Sequence, residues 1–175
     1  MRRPEGEKVC FTVATDETCM LEVKDKEEPY VFSFDRFFDQ DSKHADIFKQ
    51  AGVPTVDNLI AGSNSTVLSY GHWGHGKMSM TLGHTDSPDT WGIAPRIFQY
   101  LFDRIADEES SLSPPPHYTV TCSSFEIYNE TINDLLTLDS KNLPLKKDRK
   151  KAKGAYVEGL TSVQIESGEH LFAAL

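Results

Sequence analysis

Apolar residues recur along the chain with two different spacings. In some segments every second residue is apolar, and in others every third or fourth residue is. Alternation over four to eight positions is typical of strands, whereas an apolar residue at every third or fourth position is typical of amphipathic helices. The segments with strand character are residues 10–15, 19–23, 30–34, 65–70, 118–127, 143–145 and 155–165. We expect a turn at 16–18 between the first two, a half-buried strand at 30–34 and a buried strand at 65–70. The last two segments are expected to pair across a basic loop. The segments with helical character are residues 43–60, 93–105, 129–138 and those that follow Ser167. Strands that alternate with helices predict an α/β fold with a mixed sheet.

Prolines and polar residues refine these boundaries. Pro54 lies inside the first predicted helix, so we expect a kink or a break near Gly52, because proline lacks the amide that an inner helical turn needs. Pro95 falls in the first turn of the second helix, where proline is tolerated. Residues 129–138 are short enough to form either a helix or a turn. Ser167 is expected to cap the helix that follows it.

Composition narrows the class of protein. The 175 residues are 38% apolar and carry a net charge of −9, which is typical of one soluble globular domain and argues against a general nucleic-acid binder. No apolar run is long enough to cross a membrane, and none follows the two N-terminal arginines as in a secretory signal. The three cysteines have no metal-ligand spacing, so no metal site is predicted. We therefore expect a cytoplasmic protein. The helix expected after Ser167 is cut off at Leu175 with an apolar face that has nothing to pack against, which suggests a piece of a larger domain.

The charge is unevenly distributed. Seven basic residues and one acidic residue lie between positions 141 and 153. The rest of the chain therefore has a more negative net charge than the −9 of the whole chain. A basic segment on an acidic body predicts contact with an acidic partner, and the alternative is a solvated loop that contacts nothing.

A glycine-rich segment follows the predicted strand at 65–70. Residues 71–78, GHWGHGKM, match the phosphate-loop pattern G-x-x-x-x-G-K but lack its final Ser or Thr. In that pattern glycines let successive backbone amides surround a phosphate, and the lysine reaches the outer phosphates. The alternative is a glycine turn in which Lys77 is a surface cation.

Two departures weaken the expectation of normal hydrolysis. Met78 offers a thioether where Mg²⁺ prefers a hydroxyl oxygen, and Ser79 lies about 100° further round a helix. Trp73 and His75 are also bulky for a loop that approaches a phosphate. We therefore expect nucleotide binding and doubt normal turnover.

The neighbouring motifs resemble those of the kinesin motor domain, in the family's order and with its spacings over nearly the whole chain. They are FSFDRFF at 32–38, LIAGSNSTVLSYG at 59–71, GIAPR at 92–96, FEIYNETINDLL at 125–136 and VEGLT at 157–161. The resemblance implies a P-loop NTPase-like mixed sheet flanked by helices, and an incomplete motor domain over residues 1–175. This part would be the nucleotide-binding half, without the switch regions and the main microtubule-binding helix.

The resemblance also implies functional residues and ligands. The nucleotide would contact Arg3, Pro4, Gly71, His72, Trp73, Gly74, His75, Gly76, Lys77, Met78 and Ser79. The microtubule would contact Lys146, Lys147, Arg149, Lys150, Lys151 and Lys153. The implied cofactor is ATP with Mg²⁺, although Met78 puts the metal in doubt. No catalytic residue is assigned.

Three hypotheses follow from the sequence. The chain is part of an ATP-hydrolysing microtubule motor, or a degenerate module that attaches to microtubules or to another kinesin chain without hydrolysis, or a truncated product without independent function. The expected partners are microtubules and a second kinesin chain, with no nucleic acid and no membrane, and the expected location is the microtubule cytoskeleton of the cytoplasm. The missing switch motifs and the missing hydroxyl after Lys77 argue against motor-like ATP turnover by these residues alone.

Overall fold

The computed structural model describes residues 11–15, 18–21, 30–39, 41–84, 86–137, 139–148 and 154–168. The strands are β1 (Phe11–Thr15), β2 (Thr18–Leu21), β3 (Tyr30–Ser33), β4 (Val120–Cys122), β5 (Phe125–Tyr128), β6 (Thr131–Asp134), β7 (Leu145–Asp148), β8 (Gly154–Val157) and β9 (Val163–Ile165). The helices are α1 (His44–Ile47), α2 (Val53–Ile60), α3 (Lys77–Thr81) and α4 (Ile93–Ser111), with a π-helical segment at Phe48–Gly52 and a 3₁₀ turn at Pro88–Thr90. The chain forms two compact units, residues 1–94 and 95–175, with their boundary in the first turn of α4.

The first unit opens with a three-stranded antiparallel sheet in the order β1-β2-β3. Its strands confirm the predictions for residues 10–15, 19–23 and 30–34, and the predicted turn at 16–18 falls partly outside the described residues. The expectation that residues 30–34 are half-buried is wrong, because every residue of β3 is exposed. The rings of Tyr30, Phe32 and Phe34 contact one another in sequence along the strand, with centroids 6.4 and 6.5 Å apart.

The predicted irregularity near Gly52 is present as a π-helical turn between α1 and α2. The Val53 amide donates to the carbonyl of Phe48, five residues earlier in the chain. In an α-helix it would donate to the carbonyl of the residue four positions earlier. Pro54 follows in the first turn of α2. A proline ring would collide with the carbonyl of the residue four places before it, and the wider turn relieves that contact. Val56, on the buried side of α2, is 1% exposed.

The segment between α2 and the glycine-rich loop has no regular secondary structure after a turn at 61–62. Residues 65–70 were expected to form a buried strand, and this expectation is wrong: none of them has a strand partner among the described residues, and all are exposed. Leu68 is 83% and Tyr70 is 94% exposed. Thr, Val and Tyr favour strands, but this preference expresses packing against neighbouring strands, which the described part of the chain does not supply here.

The second unit begins with α4, which confirms the predicted helix at 93–105 and continues to Ser111. Ile105 is buried on its inner side, and Ile132 and Ile165 are the other buried aliphatic residues among those described in this unit. Along the described ranges, no helix combines the length and the apolar character needed to cross a bilayer.

The long strand predicted at 118–127 is interrupted. The chain forms β4, breaks at Ser123 and Ser124, and continues as β5 in a different sheet. The break arises because β4 pairs with β9 whereas β5 pairs with β6. Two consecutive serines offer little side-chain packing to continue a strand across the change of partner.

The helix considered for residues 129–138 is also wrong, since β6 pairs back on β5 as a tight hairpin. Asn129 and Glu130 form the turn with φ angles of 48° and 61°. Positive φ at both central positions is the conformation whose twist suits a two-residue hairpin, and asparagine adopts it readily. The turn alternative holds for residues 129–130 alone, and the strand β6 that follows was not predicted.

An antiparallel pair of strands is present as the hairpin β7–β8, but its first strand lies later than the predicted 143–145. β7 shares only Leu145 with that prediction and includes Lys146 and Lys147, which were expected in the loop. The single strand predicted at 155–165 is divided by a turn at 158–159 into β8 and β9, which belong to different sheets. Ser167 lies at the edge of the described residues, and the helix predicted after it lies outside them.

Candidate functional sites

The glycine-rich loop connects the irregular segment at 63–70 to α3, and its Gly74 and Gly76 are left-handed. Gly74 and Gly76 have φ angles of 79° and 77°, and Gly76 immediately precedes the helix. A residue with a Cβ is strained in this conformation, so the glycine positions of the motif are those that its backbone path requires.

Lys77 folds back across this loop. Its Nζ donates to the carbonyl oxygens of Gly71 at 2.9 Å and His72 at 2.7 Å. The ammonium group therefore lies against the first two residues of the motif and closes the loop on itself. Both acceptors are neutral, so the positive charge of Lys77 is not cancelled.

The two histidines of the loop bind its central carbonyl. The Nδ1 atoms of His72 and His75 each lie 3.0 Å from the Trp73 carbonyl oxygen, and their rings meet edge to face with centroids 5.2 Å apart. The Trp73 indole is instead 89% exposed. The bulky residues of the motif thus hydrogen-bond to its backbone or extend into solvent.

Several backbone amides of the loop have no acceptor among the residues that the structure describes. Within residues 71–76, all of which are described, the His75 amide donates to His72 O at 3.3 Å, whereas those of Trp73, Gly74 and Gly76 donate to no described group. Amides left unpaired in a curved glycine-rich segment are the donors that an anionic ligand requires.

The residues after Lys77 provide no oxygen ligand at position 78. Met78 is 68% exposed, and Ser79 is also on the exposed side of α3. A thioether is a poor ligand for Mg²⁺. Arg3 and Pro4, the remaining residues predicted for the nucleotide, lie outside the described residues.

The second candidate site is the basic hairpin, by which we mean β7, β8 and the segment between them. Lys146 is paired with Tyr156 across the hairpin, and Lys147 with Ala155. Successive residues of a strand point to opposite faces, so the two lysines lie on different faces. Arg149, Lys150, Lys151 and Lys153 lie outside the described residues.

Lys146 is held by an acidic residue that follows β8. Its Nζ lies 2.7 Å from Oε1 and 2.6 Å from Oε2 of Glu158, and the two side chains are 50% and 48% exposed. The hydrogen bond that Lys146 donates to Glu158, chiefly, and the negative charge of Glu158 raise the pKa of Lys146, against a smaller effect of burial than of that hydrogen bond. Sequence reasoning treated Lys146 and Lys147 as equivalent, and it missed Glu158.

A buried carboxylate in the second unit was also missed. Asp134, at the end of β6, is 3% exposed and accepts hydrogen bonds from the amides of Leu136 and Thr161, each at 2.8 Å. Hydrogen bonds from Thr161, chiefly, together with those from Leu136 and Thr137, lower the pKa of Asp134 despite desolvation. This carboxylate fixes the end of the β5–β6 hairpin to the residues that follow β8. The sequence signal that could have pointed to Asp134 is the Asp-Leu-Leu motif at 134–136.

The described residues contain no group of three or more His, Cys, Asp or Glu side chains able to hold a metal ion. Cys122 is a free, half-buried thiol, and burial raises its pKa.

Comparison with known proteins identifies the family. The family model for the kinesin motor domain matches residues 3–175. The chain belongs to the kinesin motor-domain family. The kinesin structure described as that of a fast kinesin, with implications for ATPase mechanism and interactions with microtubules, superposes with a TM-score of 0.85 at 36% identity, over 96% of this chain and 46% of that one. The expected α/β fold of a kinesin motor domain is confirmed.

Curated kinesins match over most of this chain but only a small part of their own length. The chain is 40% identical to kinesin-like protein KIN-12E of Arabidopsis thaliana over 82% of its residues, and 35% identical to the kinesin heavy chain of Neurospora crassa over 97%. It spans 12% and 18% of these two kinesins, respectively.

Proposed function

We propose that this kinesin-family chain is the nucleotide-binding half of a microtubule motor, and that it binds the phosphates of ATP at residues 71–77. The observation that carries the proposal is the position of Lys77, whose ammonium lies across the loop on the carbonyls of Gly71 and His72. A phosphate oxygen is a stronger acceptor for an ammonium than a neutral carbonyl, because both partners are then charged.

The loop fits the polyphosphate better than it fits the metal. The unpaired amides of Trp73, Gly74 and Gly76 and the cation of Lys77 are donors suited to phosphate oxygens. Met78 does not fit Mg²⁺, because sulfur cannot replace the hydroxyl that the phosphate-loop pattern supplies. The proposal therefore includes ATP binding and assigns residue 78 no part in metal coordination or hydrolysis.

Calorimetric titration of the purified chain with ATP tests this proposal, with Mg²⁺ and again with EDTA. We expect saturable binding that depends little on Mg²⁺, since the phosphate contacts come from Lys77 and backbone amides. Absence of binding by a chain whose circular dichroism shows a folded protein would overturn it. Strong dependence on Mg²⁺ would instead require a metal ligand other than Met78.

We further propose that the basic hairpin binds the acidic surface of microtubules, which would place the protein on the microtubule cytoskeleton of the cytoplasm. Lys147 is exposed, and the sequence adds Arg149, Lys150, Lys151 and Lys153 in the same short connection. Co-sedimentation with microtubules over a range of salt concentrations tests this, with Lys147, Lys150 and Lys151 replaced by Ala. We expect weaker pelleting and a shallower salt dependence, because three cationic contacts are removed. Equal pelleting of the two proteins would favour a solvated loop.

Met78 favours a second candidate function, a non-hydrolysing module that attaches to microtubules or to another kinesin chain. The variant Met78→Thr separates this candidate from an active ATPase. If the site still works with a metal, the added hydroxyl should raise ATP affinity about tenfold with Mg²⁺ and leave it unchanged in EDTA. Identical affinities for both proteins under both conditions would favour the non-hydrolysing module.

A further inference from the structure

The two lysines of β7 differ in what surrounds them. Lys146 shares a face of the hairpin with Tyr156 and, two residues further on, Glu158. Lys147 is on the opposite face, is exposed, and has no acidic partner among the residues that the structure describes. One lysine is therefore paired within the chain, while the other is available to an external acid.

The Lys146–Glu158 pair has short N–O distances but is expected to stabilise the chain little. Both carboxylate oxygens lie within 2.7 Å of Nζ, but each side chain is about half exposed. Ion pairs at this level of exposure are easily exchanged, because water screens them and both side chains lose conformational freedom when they pair. An acidic partner surface can thus replace Glu158, but it must compete with it.

Resting on the proposed attachment to microtubules, we propose that Glu158 is an internal competitor that lowers the affinity of the basic hairpin for an acidic protein surface by holding Lys146. Lys147 makes the immediate contact, and Lys146 contributes only after its carboxylate partner is displaced. The affinity of the hairpin is then set by a residue that follows the basic segment rather than by the number of its lysines.

The variant Glu158→Gln tests this competition, because it keeps the shape and hydrogen-bonding capacity of the side chain and removes its charge. We expect microtubule affinity to rise about two- to fivefold at low salt, with a steeper salt dependence. Glu130→Gln, at the turn of the β5–β6 hairpin, makes the same change of net charge elsewhere and should leave affinity unchanged. An equal rise in both variants would overturn the inference.

A second comparison isolates Lys146. In a chain that carries Lys146→Ala, the Glu158→Gln substitution should give little or no gain, because the competed lysine is absent. A gain as large as in the unmodified chain would overturn the inference, since Glu158 would then act through its charge alone. Lys147→Ala should weaken attachment more than Lys146→Ala does, and the reverse order would also overturn it.

Failure of the attachment itself gives a different result. If the unmodified chain, Glu158→Gln and Lys147→Ala are all folded by circular dichroism and none pellets with microtubules, the proposed microtubule site is wrong and the inference falls with it. If all three pellet but do not differ, the site stands and only the competition is wrong.

Discussion

The glycine-rich loop and the basic hairpin each contain a lysine that is held within the chain, but the two are held by different kinds of partner. Lys77 donates to two neutral carbonyls, whereas Lys146 lies against a charged carboxylate. The first arrangement positions a cation without cancelling its charge, and the second cancels it. Asp134 is the reverse of Lys77, an anion held by neutral backbone amides.

This difference indicates what each site can do with an incoming ligand. A phosphate that approaches Lys77 meets a full positive charge that is already placed across the loop. An acidic surface that approaches Lys146 must first displace Glu158. Counting lysines in a sequence treats these two cases alike, although their electrostatic consequences are opposite.

The largest expected effect follows from removing the cation of the loop. Lys77→Ala should weaken ATP binding by about 10- to 100-fold, the usual loss for a charge-assisted hydrogen bond. Calorimetric titration measures this, with Lys49→Ala as a matched control for loss of a lysine elsewhere in the same unit. Unchanged affinity in Lys77→Ala would mean that the carbonyls of Gly71 and His72 do not position the lysine for a phosphate.

The next effect is on stability and concerns Asp134. Asp134→Asn should lower the melting temperature by several degrees. The carboxylate now accepts a hydrogen bond on each oxygen, from the amides of Leu136 and Thr161. In asparagine one of these oxygens becomes an NH₂ group, which cannot accept, so one amide loses its partner. Because the folded state lowers the pKa of Asp134, its contribution is present above the unfolded value of about 3.9 and is lost as the pH falls through the folded value. Thermal melts between pH 2 and 7 measure both effects. Equal melting temperatures of the two proteins throughout that range would show that the carboxylate stabilises nothing.

A matched pair of glycines compares the two regions directly. Gly76 and Gly154 have φ angles of 77° and 65°, and a Cβ at either would meet no atom within 4 Å, so alanine costs backbone strain alone, about 1–2 kcal/mol. Gly76→Ala should weaken ATP binding several-fold and spare microtubule attachment, and Gly154→Ala should do the reverse. If either variant weakened both activities equally, the substitutions would be acting through general stability.

The smallest effect concerns the titration of Lys146. Since the pKa of Lys146 is raised in the folded chain, the ion pair stabilises the fold below the unfolded value of about 10.4 and loses its effect as the pH rises through the folded value. NMR titration of the Lys146 side chain measures this pKa, which should move back toward its ordinary value in Glu158→Gln. The same pKa in both proteins would contradict the pairing.

Local patterns predicted the elements whose partners are close in sequence. The meander of β1 to β3, the irregular helix around Pro54 and the long helix α4 all follow from periodicity and proline chemistry. Residues 65–70 do not form a strand, because a strand depends on neighbouring strands that sequence periodicity does not reveal. The β5–β6 hairpin was missed because its turn is Asn-Glu rather than the more familiar Asn-Gly.

The residues of the candidate sites could likewise be predicted only where they lie close together in the sequence. The glycine positions and Lys77 were recognisable because the phosphate-loop pattern is contiguous in sequence. Glu158 is twelve residues from Lys146, and only the register of β7 with β8 brings them together. Nucleotide contacts at residues 71–79 and microtubule contacts on the basic hairpin remain predictions that the experiments above test.

The outward position of Trp73 gives the loop an intrinsic optical signal. The chain contains two tryptophans, and Trp91 is half-buried next to Gly83, whereas the indole of Trp73 is 89% in water. Emission from Trp73 should therefore be red-shifted and readily quenched by iodide. Any ligand that rearranges the loop would change that emission, so the unlabelled protein reports on its own glycine-rich loop.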